Sequence, residues 1–590
     1  MSDRQAPSLA ERIAGLSAAK RALLLQKRPS LGGTGYDRIA EALREAGISH
    51  VYGVAGRPTE EILPACYRRG IRPIGVYHQS SAVCMALAHN YQAGRLAAAT
   101  VVSAGPAVTN AMTGLLVARD NGWPVLVFGG RRSLFQQCDA LPFVSHVVKC
   151  AMDVPTAGAI GDCVRQAARI AMSGRPGPVY LEIHEDVLAS QSANGHHSAG
   201  TCPDAVDTAP VVSVAQIEEV AASLISANRP ALIVGKGVRW TVPPAQLREL
   251  VEIVGIPFIT SPMGRGFLAD DHPLCANQAR TALQFQADAV LILGARLNWV
   301  FRHGAALSPA ARVWRVDIER DAGIDPQVSA ARGELIHTDA GEFVARLLVA
   351  LRHRLAATAE PVRQQRLARW HDELRAASNE TLRALDACMA GSDLPMSPYR
   401  MMKEVRDALP RDAVCITEGN VSMLAAQAVI PGYTPASRMD AGTNACMGVG
   451  IPFAIGAKLA CPDRPVVAIV GDYGFSLSAM EMEVCVRHRI PIVVLVANNQ
   501  GNNGALKHKA YFPEPDAELV TMFQPQIEYD RIMRLFGGRG TTIRDPGALR
   551  PALEEAIASG TPTCINVDID PDTPLPAAWG KIVNTVETTA

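Results

Sequence analysis

The chain has 590 residues, 48% of them hydrophobic, with 48 Gly, 40 Pro and a net charge of +0. That length exceeds what one hydrophobic core accommodates and calls for three or four folded units, while the balanced charge provides no field to draw the chain to nucleic acid or an anionic membrane. The apolar share excludes a disordered chain, and thirteen scattered cysteines without a CxxC exclude a disulfide scaffold and fit a reduced, cytoplasmic setting.

The chain opens with ERIAGLSAAKRALLLQKRP, an amphipathic basic helix within an N-terminal extension (1–31) that has no signal-peptide h-region. Short apolar runs then alternate with helical patterns: HVYGVAG, AAATVVSAGP and PVLVFGG, then PALIVGKG, AVLILGARLN and RVWRVDIE, and finally VVAIVGDYGF, PIVVLVANN and TCINVDID. Short β-branched runs joined by helices predict parallel sheets buried on both faces. The longest runs are strand-length, too short to span a membrane.

The expected organisation is a first unit over 32–188, a Ser/Gly/His-rich linker over 189–212 and a central unit over 213–352. A charged helical connection (353–394), a third unit (395–576) and a tail (577–590) follow. The fold class is α/β, with three doubly wound, mostly parallel-sheet domains.

Within the first unit, GVYHQSSAVCMAL (75–87) reads as a strand, then His78 and Gln79, then a helix opening at the Ser80–Ser81 pair. The chemistry concentrates in IVGDYGFSLSAMEMEVCVRHRIPIVVLVANNQGNNG (469–504). A strand ends at Gly471–Asp472, a glycine-containing turn opens a helix, and a second strand delivers Asn499. Strand, turn and helix N-terminus together make an anion site. A diphosphate there needs a hard cation, and Asp472, Asn499 and the Gly501 carbonyl are oxygen ligands of the kind Mg²⁺ or Ca²⁺ takes.

This pattern resembles the GDG-(x)n-NN signature of thiamine diphosphate-dependent enzymes, with Tyr473 as the middle residue and Gly474 expected to keep the turn flexible. VYGVAGRPTEEILPACYRRGI, SAGPAVTNAMTGLLVARDNGWPVLVFGG and SGRPGPVYLEI resemble the pyrimidine-binding domain of acetolactate synthase-like enzymes, and MDAGTNACMGVGIPFAIGAKLA resembles their diphosphate-binding domain. The resemblance implies that Met447 props the cofactor into its bent shape and that the Ala445 carbonyl holds its 4′-amino group. It also implies that Glu418 and Asn420, in ITEGN, form the entry loop of the diphosphate domain, and that Asn502 lies near the cofactor. PALIVGKG, SPMGRGFLADDHP and GARLNWVFRHG are most similar to oxalyl-CoA decarboxylase and 2-hydroxyacyl-CoA lyase. In that branch the central domain takes ADP or the adenosine end of coenzyme A, which implies phosphate contacts for Lys236 and Arg296 and a ribose contact for Asp317; FAD is the alternative in the synthases.

One residue departs from the family. Its activating glutamate hydrogen-bonds N1′ of the aminopyrimidine, and alignment on His78 puts Gln79 in that place. An amide can hydrogen-bond N1′ but carries no charge, and general acid–base terms are worth about 10²- to 10⁴-fold. Three readings stay open: an enzyme that tolerates slow activation, a cofactor-binding relative without turnover, and a substitution introduced to trap a complex.

On the substrate side, Asn502 and Asn503 make the loop after NN polar, and Gln137 falls near the family's substrate-facing loop. The resemblance implies a carbon–carbon lyase or carboligase acting on a 2-oxo acid or a CoA-type thioester, with an acetolactate synthase-like carboligase as the alternative. The cofactor would lie between the first domain of one subunit and the third of another, so a homodimer or homotetramer is expected.

Overall fold

The computed structural model describes residues 17, 33–191, 210–320, 333–356, 360–502, 504–514 and 518–573. The N-terminal basic helix, most of the Ser/Gly/His-rich linker, the tail and Asn503 lie outside the described residues.

Three sheets, each wholly parallel, carry the fold. The first holds β1 His50–Gly53, β2 Arg72–Gly75, β3 Ala98–Val102, β4 Val125–Arg131, β5 Cys150–Val154 and β6 Pro178–His184, in the order β2-β1-β3-β4-β6-β5. The second holds β7 Pro230–Val234, β8 Phe258–Thr260, β9 Ala289–Leu293, β10 Arg312–Asp317 and β11 Glu334–His337, in the order β11-β10-β9-β7-β8. The third holds β12 Val414–Thr417, β13 Arg438–Asp440, β14 Val466–Gly471, β15 Val493–Asn498, β16 Arg539–Ile543 and β17 Thr563–Asp568, in the order β13-β12-β14-β15-β17-β16. The central strands are buried along their length, as expected of strands covered on both faces. The first and third sheets share one strand order, so the two halves expected to hold the cofactor repeat one architecture.

Seven helices matter for the site: α1 Gln79–Ala93, α2 Pro106–Asn121, α3 Glu360–Met389, α4 Asn420–Val429, α5 Gly450–Ala460, α6 Asp472–Ser478 and α7 Glu481–His488. α3 spans the charged connection. α1 carries apolar residues on all sides, the signature of a helix enclosed by protein, and Ala82 through Tyr91 are all buried. One neighbour is α5, where Gly456 leaves no side chain between the helices: a Cβ there would fall 2.0 Å from the Met85 carbonyl oxygen. Gln92 at the far end of α1 donates from Nε2 to the Ala436 carbonyl at 2.7 Å. First and third domains therefore share one apolar core, whereas the central domain has its own.

The helix after His78 starts earlier than the serine pair. His78 is the N-cap, with extended backbone and Nδ1 accepting from Ser80 N at 3.1 Å, so Gln79 is the first helical residue. An imidazole nitrogen does here what a serine oxygen usually does. Among the described residues no helix is long and apolar enough to cross a membrane.

Candidate active site

In the third sheet the strand order reverses between β12 and β14, so their carboxyl ends open the crevice where such sheets take ligands. Gly471 ends β14 and Gly419 follows β12. A Cβ on Gly471 would meet nothing within 4 Å, while one on Gly419 (φ +93°) would fall 3.3 Å from Gly471 N. Two glycines at strand ends thus stand side by side, each just ahead of a helix, α4 and α6.

At this opening Asp472 is buried. Its Oδ1 accepts from Tyr473 N at 2.8 Å and its Oδ2 from Gly501 N at 2.9 Å. Burial nevertheless pushes its pKa up to about 7, against the pull of these N–H groups. The Asn499 amide points one terminal atom at this carboxylate, 3.3 Å from Asp472 Oδ1 and 2.9 Å from the Gly501 carbonyl oxygen. With nitrogen there the amide donates to both. With oxygen there, three oxygens converge, and the spacing fits adjacent ligands on an octahedral ion with metal–oxygen bonds of about 2.1 Å, which are about 3.0 Å apart. The three expected ligands are together, and the donor set fits a hard cation.

Gly474 plays a different part from the one expected of it. No turn precedes α6, which begins at Asp472 itself, so Gly474 sits inside a helix and supplies room rather than flexibility. A Cβ on it would fall 2.0 Å from Glu418 Oε1 and 3.3 Å from Met447 Cε. Glu418 is fully buried, and its two oxygens accept from Gly448 N and Gly450 N, both at 2.5 Å. Its carboxylate is therefore spent on shaping the 447–450 turn, with burial pushing its pKa up to about 7. Ala445, on the same loop, adopts φ +49°. A left-handed alanine costs about 1–3 kcal/mol and is held in place by its surroundings. Tyr473 lies against Phe523, with ring centroids 6.1 Å apart.

Gln79 is half-buried at the start of α1, and its Oε1 accepts from Asn110 Nδ2 on α2 at 3.1 Å. Just before it, Tyr77 N and His78 N donate to Glu481 of α7.

The central domain opens a cleft at the switch point between β7 and β9, bordered by all three domains. Lys236, Arg296 and Asp317 all line it. Gly235 and Gly294 bring the two strand ends together: a Cβ on Gly235 would fall 2.1 Å from the Gly294 carbonyl oxygen. Lys236 donates to Asn121 Oδ1 and lies 6.0 Å from the Trp123 ring centre. Burial lowers its pKa to about 8, while Asp440 and Asp120 pull the other way. Arg296 pairs with Glu319 at 3.3 Å and, more loosely, with Asp120 at 3.9 Å. Burial raises the pKa of Asp317, whose Oδ1 accepts from Glu319 N at 3.0 Å.

This arrangement has known counterparts. The N-terminal TPP binding domain of thiamine pyrophosphate enzymes matches residues 33–141, their central domain residues 217–347 and their C-terminal TPP binding domain residues 417–567. A 2-hydroxyacyl-CoA lyase of Arabidopsis thaliana is 32% identical over 554 residues, covering 90% of this chain and 95% of the relative. The chain belongs to the thiamine pyrophosphate enzyme family. An oxalyl-CoA decarboxylase of Escherichia coli (strain K12) is 30% identical, covering 90% of this chain and 94% of its own. A probable acetolactate synthase of Mycobacterium bovis is also 30% identical, with 91% and 96% covered.

In this thiamine pyrophosphate enzyme the residues expected to meet metal and diphosphate lie together: Glu418, Met447 and Gly474 meet at one turn, and Asn499 and Gly501 lie beside Asp472. Asn502 is exposed, and its N–H donates to the Thr521 carbonyl at 2.7 Å. Gln137 is exposed and folds back onto the Ser133 carbonyl of its own loop. Its neighbour Gln136, at φ +57°, rests against Gly105, just ahead of α2. Asp120, Glu319 and Asp440 of the cleft and Glu481 beside Gln79 were not singled out in the sequence. Each is an ordinary carboxylate at a strand end or helix end, and only the tertiary contacts distinguish it.

Proposed function

We propose that this chain is a thiamine diphosphate- and Mg²⁺-dependent carbon–carbon lyase acting on a 2-hydroxyacyl-CoA-type thioester. The observation that carries the reading is the convergence of the Asp472 carboxylate, the Asn499 amide and the Gly501 carbonyl beside the open space at Gly471. Bound thiamine diphosphate supplies a nucleophilic carbon that adds to a carbonyl and accepts the electrons left when the adjacent carbon–carbon bond breaks. Asp472, Asn499 and the Gly501 carbonyl would hold the cation, and the N–H groups at the start of α4 and α6 would face the diphosphate. The Met447 side chain and the Ala445 carbonyl would support the ring pair. Gln79, steadied by Asn110, would hydrogen-bond N1′ without exchanging a proton with it.

The thioester part of the reading is supported by the relatives' names and by the central cleft. Lys236 and Arg296 there would meet phosphates of ADP or coenzyme A, and Asp317 a ribose hydroxyl. The two-subunit site is supported by large apolar side chains left exposed on the segments that carry its halves: Tyr77 beside Gln79, Leu116 on α2, Leu477 on α6 and Met480 before α7. A homodimer that covers them is the smallest complete unit.

Gln79 favours a second reading, a cofactor-binding protein without turnover. Incubation of the purified protein with Mg²⁺, thiamine diphosphate and a 2-hydroxyacyl-CoA separates the two. Loss of thioester with release of an aldehyde supports the lyase. Stoichiometric cofactor binding without thioester loss, in parallel with oxalyl-CoA and 2-oxo acid controls, supports the second reading. Failure to bind thiamine diphosphate refutes both.

A further inference from the structure

The seam between α7 and the segment that carries Gln79 contains a buried carboxylate that the proposed function leaves unassigned. Glu481 opens α7 and is 1% exposed. Its Oε1 accepts from His78 N at 3.0 Å and its Oε2 from Tyr77 N at 3.3 Å, and the Ser81 hydroxyl donates to it as well. Burial raises its pKa and these donors oppose the rise. The rest of α7 holds the same segment. Arg487 donates from Nη2 to the Gly75 carbonyl at 2.9 Å, and Arg72 reaches the His488 carbonyl at 3.4 Å. Residues 72–81 are thus held along their length by one helix of the third domain, and that helix follows directly on α6, which begins at Asp472.

We propose that Glu481 is a positioning residue for Gln79. Each of its two oxygens takes one backbone N–H of the two residues ahead of Gln79, so together they fix the peptide planes from which the Gln79 side chain departs. The carboxylate also lies at the N-terminus of α1, where the helix dipole favours negative charge. Through α6 and α7, Asp472 at one site of the dimer and the Gln79 that the same chain gives to the other site become parts of one rigid connection. A displacement of about 1 Å at such a residue can cost about 10²-fold in rate. The proposal rests on the reading that Gln79 faces bound cofactor.

The test uses full-length Glu481→Gln and Glu481→Asp, each in the chain as it stands and in a Gln79→Glu background. Glu481→Gln keeps the shape but leaves one oxygen for the two backbone donors and the Ser81 hydroxyl; Glu481→Asp keeps the charge on a shorter arm. Three quantities are measured: backbone amide exchange of peptide 75–87 without cofactor, the Kd of thiamine diphosphate with Mg²⁺, and C2–H/D exchange of the bound cofactor by quench-flow NMR. The expected result for Glu481→Gln is at least tenfold faster amide exchange at residues 77–78, a Kd within threefold of the parent, and at least tenfold slower C2 exchange. Glu481→Asp should fall between the two. Unchanged C2 exchange with intact binding overturns the positioning role alone, as does a Kd that weakens in step with C2 exchange. Misfolding of both variants makes Glu481 a core residue and likewise overturns it. A parent chain that does not bind thiamine diphosphate overturns this proposal together with the reading it rests on.

Discussion

Two glycines three positions apart should fail in opposite ways when each is given a methyl group. At Gly474 a Cβ would fall 2.0 Å from Glu418 Oε1, which is itself held 2.5 Å from Gly448 N. Neither can yield alone, so Gly474→Ala must expel the carboxylate from its two N–H donors. Hydrogen bonds to a charged group are worth about 1.5–3 kcal/mol each, so the displacement costs about 3–6 kcal/mol. The loss falls on the turn that carries Met447. At Gly471 a Cβ would meet nothing within 4 Å and φ is −70°, so Gly471→Ala is free of strain in the protein alone but occupies the opening that would admit a diphosphate. Thermal melting without cofactor and isothermal titration with thiamine diphosphate and Mg²⁺ distinguish the two. Gly474→Ala should lower the melting temperature by several degrees and weaken binding at least 100-fold. Gly471→Ala should melt within about 1 °C of the parent yet bind at least tenfold more weakly. The reasoning is refuted if Gly474→Ala binds within threefold of the parent, or if Gly471→Ala destabilises the cofactor-free protein as much as Gly474→Ala.

Burial raises the pKa of the Asp472 carboxyl to about 7 from 3.8, so the cofactor-free fold favours its protonated form. The stability this contributes is complete below about pH 4 and is lost as pH rises through 7, up to about 4 kcal/mol at 1.36 kcal/mol per unit. The cofactor-free protein should therefore melt lower at pH 8 than at pH 5, Asp472→Asn should lessen that slope and leave the share due to Glu418, which burial raises likewise, and Mg²⁺ with thiamine diphosphate should restore stability at pH 8 only in the parent; a slope unchanged in Asp472→Asn refutes the assignment. Gln79→Glu should speed C2–H/D exchange of bound thiamine diphosphate by about 10²- to 10⁴-fold, and equal rates would show that another group activates the cofactor. Lys236, lowered to about 8 by burial, should lose ADP affinity as pH rises through 8. Lys236→Met should bind ADP at least tenfold more weakly at pH 7 by calorimetry, and matching affinities would remove Lys236 from the ligand contacts.

The α/β class was legible because buried parallel strands write themselves as β-branched runs such as VVAIV and VVLVAN, and the meeting of Asp472, Asn499 and Gly501 was legible because they lie at or just after strand ends within one short stretch. What the sequence concealed depends on contacts between distant segments. Gly474 looked like a turn glycine because glycine carries no record of what lies opposite it, and the buried Glu418 carboxylate became visible only in three dimensions. The start of α1 was placed late because histidine is an uncommon N-cap. Glu481 was not singled out in the sequence, yet it is almost wholly buried between two domains.

The shared strand order of the first and third sheets sharpens the question of Gln79. In both, the helix after the second strand starts at the site: α1 at Gln79 and α5 at Gly450. In both, a buried glutamate from elsewhere in the third domain takes two backbone N–H groups at that start, Glu481 at Tyr77 and His78 and Glu418 at Gly448 and Gly450. Gln79 is thus as firmly placed as the turn beside Met447. Its side-chain partner Asn110 donates to an oxygen that a carboxylate would also present. The amide at position 79 therefore differs from an acid in its protons and charge and not in its placement. Gln79→Glu should leave the melting temperature within about 1 °C while changing C2 exchange, because Asn110 Nδ2 donates to an oxygen that either side chain presents. A large shift in melting temperature would mean that the surroundings have adapted to glutamine, and that the chain has moved away from acid-assisted chemistry as a whole site rather than at one residue.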